Sequence, residues 1–235
     1  MPSERTLARI AGSLYLVVAV GGMFAELVVR SRIVEPGNAA ATADNIRASA
    51  TLFRAGFAAD LVQAIFFLFT AMALYLLLRH VQELLARAMV VFVAVSVAIM
   101  SLNLLNQWVA LQVATGEGPA GAWGPGVADA LTGLFAEMQH GGYLIAQLFF
   151  GLWLLPLGYL VLRSGWFPKV VGVLLVVGCF GYLVDLFVQF LAPGIADGIE
   201  LFVLAPAAVG ELLLVAWLLV KGVPEPSPRL PALAA

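Results

Sequence analysis

The stretch from Leu134 to Leu162 constrains this chain more than any other part of it. It is longer than the roughly 20 helical residues that cross a hydrocarbon core of about 30 Å. After Glu137 and His140 it carries no charge and a single amide, Gln147. Such a segment has no stable place in water. Five further stretches have the same character: Leu7–Val29, Leu52–Leu78, Ala88–Val113, Val170–Leu191 and Leu201–Val220. Lipid offers the backbone no hydrogen bonds, so an open spanning segment must be helical, and no ten-residue alternation suggests a barrel. The expected fold class is therefore all-α, a polytopic membrane protein with a bundle of six transmembrane helices. Composition agrees: 63% of residues are hydrophobic and 11% charged, against about 25% charged in a soluble domain.

The same totals exclude several functions. Net charge is −2 and no Lys/Arg run is present, so no nucleic acid partner is expected; the bilayer is the expected partner. One cysteine, Cys179, rules out an intrachain disulfide and a Cys-rich metal site. The run after Arg5 and Arg9 reaches Val29, too long for a signal-peptide core, and reads as a retained first span. One membrane domain is expected over 1–221, followed by a disordered Pro-rich tail at 222–235.

Orientation follows from the basic residues. With the N-terminus inside, Arg5, Arg9, Arg79, Arg87, Arg163, Lys169, Lys221 and Arg229 are cytoplasmic, and Arg30, Arg32, Arg47 and Arg54 lie outside. The bias predicts both termini in the cytoplasm. In the first outer segment Thr42-Ala43-Asp44 reads as the start of a short surface helix that breaks near Ser49. The second outer loop, Gly116-Glu117-Gly118-Pro119 to Gly124-Pro125-Gly126, is rich in helix breakers and reads as irregular. Gly165 is placed to stop the fourth helix and Pro168 to start the fifth. Tyr159, Trp166 and Phe167 read as an interfacial belt.

Ionisable groups inside a membrane are costly and mark function by default. Here they cluster in the outer half. The candidate ligand-binding lining is Glu26, Asp60, Asn103, Asn106, Gln107, Glu137, His140, Gln147, Asp185 and Glu211. At about 100° per residue, Glu137, His140, Gln147, Gly151 and Gly158 share one face, and Asp185 shares one with Gln189, Gly178 and Gly181. Acid and small residue on one stripe mark an inward face of a bundle. An outward-facing acidic pocket follows, suited to a small cationic or polar solute that is bound or transported. Two other readings stand beside it. Glu137-x-x-His140 offers two metal ligands of the three or four a zinc site needs, which would make a metal-dependent intramembrane enzyme. Alternatively the polar groups only pair across helices, in a structural or signalling protein without a small ligand. No Gly-rich phosphate loop or serine-nucleophile motif is present, and the residues identify no cofactor.

Arg9-Ile10-Ala11-Gly12-Ser13-Leu14-Tyr15, Thr42-Ala43-Asp44-Asn45-Ile46 with Leu52-Phe53-Arg54, and the run from Gln147 through Pro156 to Tyr159 with Ser164-Gly165 and Pro168 carry a resemblance. They resemble the bacterial membrane family catalogued as domain of unknown function 4386. The resemblance implies a six-helix protein of the bacterial inner (plasma) membrane and assigns no activity and no functional residue.

Overall fold

The structure, a computed structural model, describes residues 3–117 and 121–224. Gly118 and Pro119 of the second outer loop, and the predicted tail beyond Pro224, lie outside the described residues. Among the described residues all regular structure is helical. The first span is α1 (Glu4–Met23), a π turn (Phe24–Arg30) and α2 (Ser31–Ile33) in continuous succession. A short α3 (Ala39–Ala48) follows. The other spans are α4 (Ala50–Leu78), α5 (Glu83–Thr115), α6 (Pro125–Ser164), α7 (Lys169–Leu191) and α8 (Pro193–Val220). Six helices are thus long and apolar enough to cross a membrane.

Several ends follow from local chemistry. Ser3 accepts from the Thr6 N–H and caps α1. Asn38, rather than Thr42, caps α3 through the Ala41 N–H at 3.0 Å. The Thr42 hydroxyl instead ties α3 to the preceding turn, accepting from the Glu35 N–H and donating to the Glu35 carbonyl. The break falls at Ser49, as the sequence indicates. α6 begins at Pro125, well before the apolar run, because a proline at the first helical position sacrifices no hydrogen bond. It ends at Gly165, whose φ of +71° is open to glycine. α6 and α8 continue through Pro156 and Pro206.

The six spans form a closed ring in sequence order: α1 packs on α4, α4 on α5, α5 on α6, α6 on α7, α7 on α8, and α8 returns to α1. Gly12 admits Leu218 and Leu219 at that closure, where a Cβ would stand 2.9 Å from Leu218. The closure brings the two described chain ends together, with Gly222 beside Arg5. We call this the terminal end; α3 lies at the other, on α6 and α5. Large exposed apolar side chains such as Leu27, Ile65, Leu105, Ile145, Phe187 and Phe202 line the outer faces, as a bilayer environment requires.

Among the described residues there are two main apolar clusters and a small third of Val113 and Ala128 between α5 and α6. The larger, toward the terminal end, centres on Trp153, which meets Tyr15 and Phe67 edge-on at ring-centroid distances of 5.6 and 5.0 Å. Phe167 is buried in it rather than joining Tyr159 in an interfacial belt, because the Gly165 turn swings the chain inward. The smaller cluster joins Val29, Ile33, Ile46, Phe53 and Leu111 beneath α3. The buried polar residues of α4 and α5 fall in sequence between members of the two clusters.

Candidate functional site

The polar layer is built outward from Arg30. Gly56 on α4 lets Val29 approach so closely that a Cβ there would stand 2.8 Å from it. That approach, together with the π turn, sets Arg30 against α4. Its Nη1 donates to Asp60 Oδ2 at 2.6 Å and its Nε to Glu26 Oε2 at 2.8 Å. Asp60 is 1% exposed and Glu26 54%, so one guanidinium links a buried carboxylate to an accessible one. Gln63, one turn from Asp60, lies against Gly22, and its Oε1 is buried.

On the far side of the ring, Gln147 of α6 donates from Nε2 to Asp185 Oδ2 of α7 at 2.6 Å. Asp185 is buried. Gly151, one turn below Gln147, packs on Tyr182 and the Cys179 carbonyl, which holds the two helices at this spacing. Glu211 of α8 is half-buried and faces the Tyr15 phenol of α1 without a well-formed hydrogen bond. Tyr143 joins the two sides: it is within electrostatic reach of Glu26, Arg30, Asp60 and Glu211. Tyr182 is within reach of Glu211, Tyr143 and Asp185. Among the described residues no cation forms an ion pair with Asp185 or Glu211, and Arg30 serves Glu26 and Asp60 together.

The ten candidates therefore divide. Glu26 and Asp60 form one polar group through Arg30 and Gln147 and Asp185 another; with Glu211 they make up the polar layer, with Tyr143 and Tyr182 within electrostatic reach of its members. Two of the α5 amides, Asn103 and Gln107, donate to backbone, and the third, Asn106, to Asn103. Asn103 Nδ2 donates to the Gln139 carbonyl at 2.7 Å, over Gly142, where no Cβ fits. Asn106 steadies Asn103 at 2.9 Å, and Gln107 reaches the Phe53 carbonyl at 3.5 Å. These bonds fasten α5 to α6 and α4. Glu137 and His140 are exposed and make no hydrogen bond or ion pair with another candidate. Among the described residues no three His, Cys, Asp or Glu side chains come together as a metal site. Arg54 pairs with Glu117 at 2.6 Å rather than with a layer carboxylate.

Sequence reasoning missed Tyr143 and Tyr182, because a tyrosine inside an apolar helix reads as another aromatic. It also missed the π turn. Seven residues wide at Phe24–Arg30, that turn is a feature often found at functional sites, and it leaves no sequence signature.

Comparison with known proteins adds little chemistry. No solved structure matches. An uncharacterized protein of Archaeoglobus fulgidus is 35% identical over 78 residues, which is 33% of this chain and 44% of that protein; the match spans less than half the length of that relative. The family model described as Domain of unknown function (DUF4386), however, matches residues 10–222, from the first span through the last and across every helix that contributes to the polar layer. The chain belongs to that family.

Proposed function

We propose that this multi-pass protein binds, and carries, a small cationic or hydrogen-bond-donating solute in the layer between Asp60 and Asp185. The observation that carries this reading is an excess of acceptors. Four buried side-chain atoms of the described residues lack a hydrogen bond within the protein: Gln63 Oε1, Gln107 Oε1, Asp185 Oδ1 and the Tyr15 hydroxyl. Within the layer Gln63 Oε1 and Asp185 Oδ1 can only accept; Gln107 stands outside it, on α5. Orphaned buried acceptors each cost about 1–3 kcal/mol, and intramembrane carboxylates are costly unless used. A cation or protonated amine supplies donors and positive charge together. Glu26, the accessible member of the Arg30 triad, is the natural point of entry. The basic-residue bias supports both termini in the cytoplasm, with the α3 end outward. The bacterial inner membrane is the location expected from the sequence resemblance. The aromatic contacts of Trp153, Tyr15 and Phe67 close the layer toward the terminal end, so carriage requires them to part.

The test is thermal unfolding of the purified protein against a panel of monovalent ions, divalent ions and small amines, with Asp185→Asn and Glu211→Gln alongside. A ligand at a hundred times its Kd should add about 2.7 kcal/mol of stability, and each variant should abolish most of that gain. A panel without a single stabilising cation or amine would sink the proposal. So would stabilisation that both variants retain in full.

A further inference from the structure

The terminal end holds a second site, of opposite charge. We propose that its cleft binds a phosphate group, that of an anionic phospholipid headgroup. The cleft has a volume of about 450 Å3 and is lined by Arg5, Trp166, Trp217, Lys221 and the Gly222–Pro224 turn, with no carboxylate among these residues. Arg30, Arg47, Arg54 and Arg87 each meet a carboxylate. Arg5 and Lys221 meet none among the described residues, and both are exposed.

The cleft is held in shape. Trp217 Nε1 donates to the Trp166 backbone carbonyl at 3.1 Å, which fixes the Trp217 indole. His80 stacks on Trp166 with ring centroids 4.4 Å apart. Gly222, at φ +67°, turns the chain back so that Val223 is buried and Arg5 faces the cleft. Lys221 Nζ stands 5.9 Å over the Trp217 ring. Two cations from opposite ends of the chain therefore converge between two fixed indoles. A guanidinium with an ammonium is a phosphate-binding pair. Indoles at a helix end sit at headgroup level, and basic residues there draw anionic lipid. Free phosphate would satisfy the cations and leave the apolar surface of the two indoles and Pro224 unused; a phospholipid uses both.

The full chain is purified in a zwitterionic environment and titrated with phosphatidylglycerol, phosphatidylcholine or inorganic phosphate, read by native mass spectrometry and by Tm. We expect one retained phosphatidylglycerol per chain and a raised Tm, with affinity roughly fivefold weaker in Arg5→Gln and again in Lys221→Gln. Arg9→Gln, an exposed cation on the same helix outside the cleft, should bind as wild type does. Equal phosphatidylglycerol binding by wild type and the double variant overturns the site. Equal binding of phosphatidylcholine overturns it too. Inorganic phosphate that displaces the lipid and matches its Tm gain overturns the lipid as the source.

Discussion

Arg30 donates to carboxylates on two different elements, and the consequence is asymmetric. Its side chain is 12% exposed and that of Asp60 1%. Removing one member of a buried pair strands the other charge, at a cost of about 3–5 kcal/mol, whereas replacing both by apolar groups of similar size is often close to neutral. Arg30 keeps Glu26 when Asp60 is neutralised, so Asp60→Asn should cost less than that full amount, yet still lower Tm more than the double change Arg30→Met with Asp60→Leu, a difference that thermal unfolding of the three proteins reads directly. A double variant as unstable as the single would mean that Asp60 serves the fold through some partner other than Arg30. The sequence names both residues but not their union. Asp60 stands out as an intramembrane acid, and Arg30, at the outer rim, reads as a cation able to neutralise one of the acids without saying which. The π turn that brings Arg30 inward depends on packing against Gly56, a contact between helices that no local pattern encodes.

At the scale of the helix, glycines decide which spans touch. Gly158 and Gly172 pack reciprocally: a Cβ on either would stand within 2.9 Å of the other's carbonyl oxygen. Gly178 meets Ala207, and Gly181 faces the Val203 carbonyl, so α7 is pinned to α6 on one side and to α8 on the other. A side chain at Gly181 cannot be accommodated by rotating a neighbour, since the obstruction is backbone. Gly181→Val should cost about 1–3 kcal/mol, the usual penalty of overpacking, and should part Asp185 from the α8 side of the layer. Gly141 has nothing within 4 Å of its missing Cβ. Gly141→Ala should leave Tm unchanged or raise it, as alanine is favoured over glycine in a helix by up to about 1 kcal/mol. Equal effects of the two changes would refute the packing assigned to α7 and α8. The spans themselves are readable because lipid selects long apolar runs whatever their partners. Partner choice is only partly readable: the polar stripe marks Gly151 and Gly158 as facing inward, but which helix meets them is not written in the run itself.

For the whole molecule, the ring order makes sidedness a single choice. The described chain ends meet at Arg5 and Gly222, and α3 lies at the opposite end, so fixing one loop fixes everything. If the basic-residue bias holds, the α3 end faces away from the cytoplasm and the basic cleft faces it. On the proposed functions, the acidic layer would then take an outside solute while the basic cleft would anchor to the leaflet where anionic lipid attracts basic segments. Cys179, the sole native cysteine, is fully buried, so single cysteines can be introduced against a quiet background. Arg32→Cys at the α3 end and Arg79→Cys at the terminal end are both at exposed positions. In intact cells an impermeant maleimide should label Arg32→Cys, and it should reach Arg79→Cys only after lysis. The reverse pattern would turn the protein over. The acidic layer would then take its solute from the cytoplasm, and the cleft would have to find its phosphate in the outer leaflet.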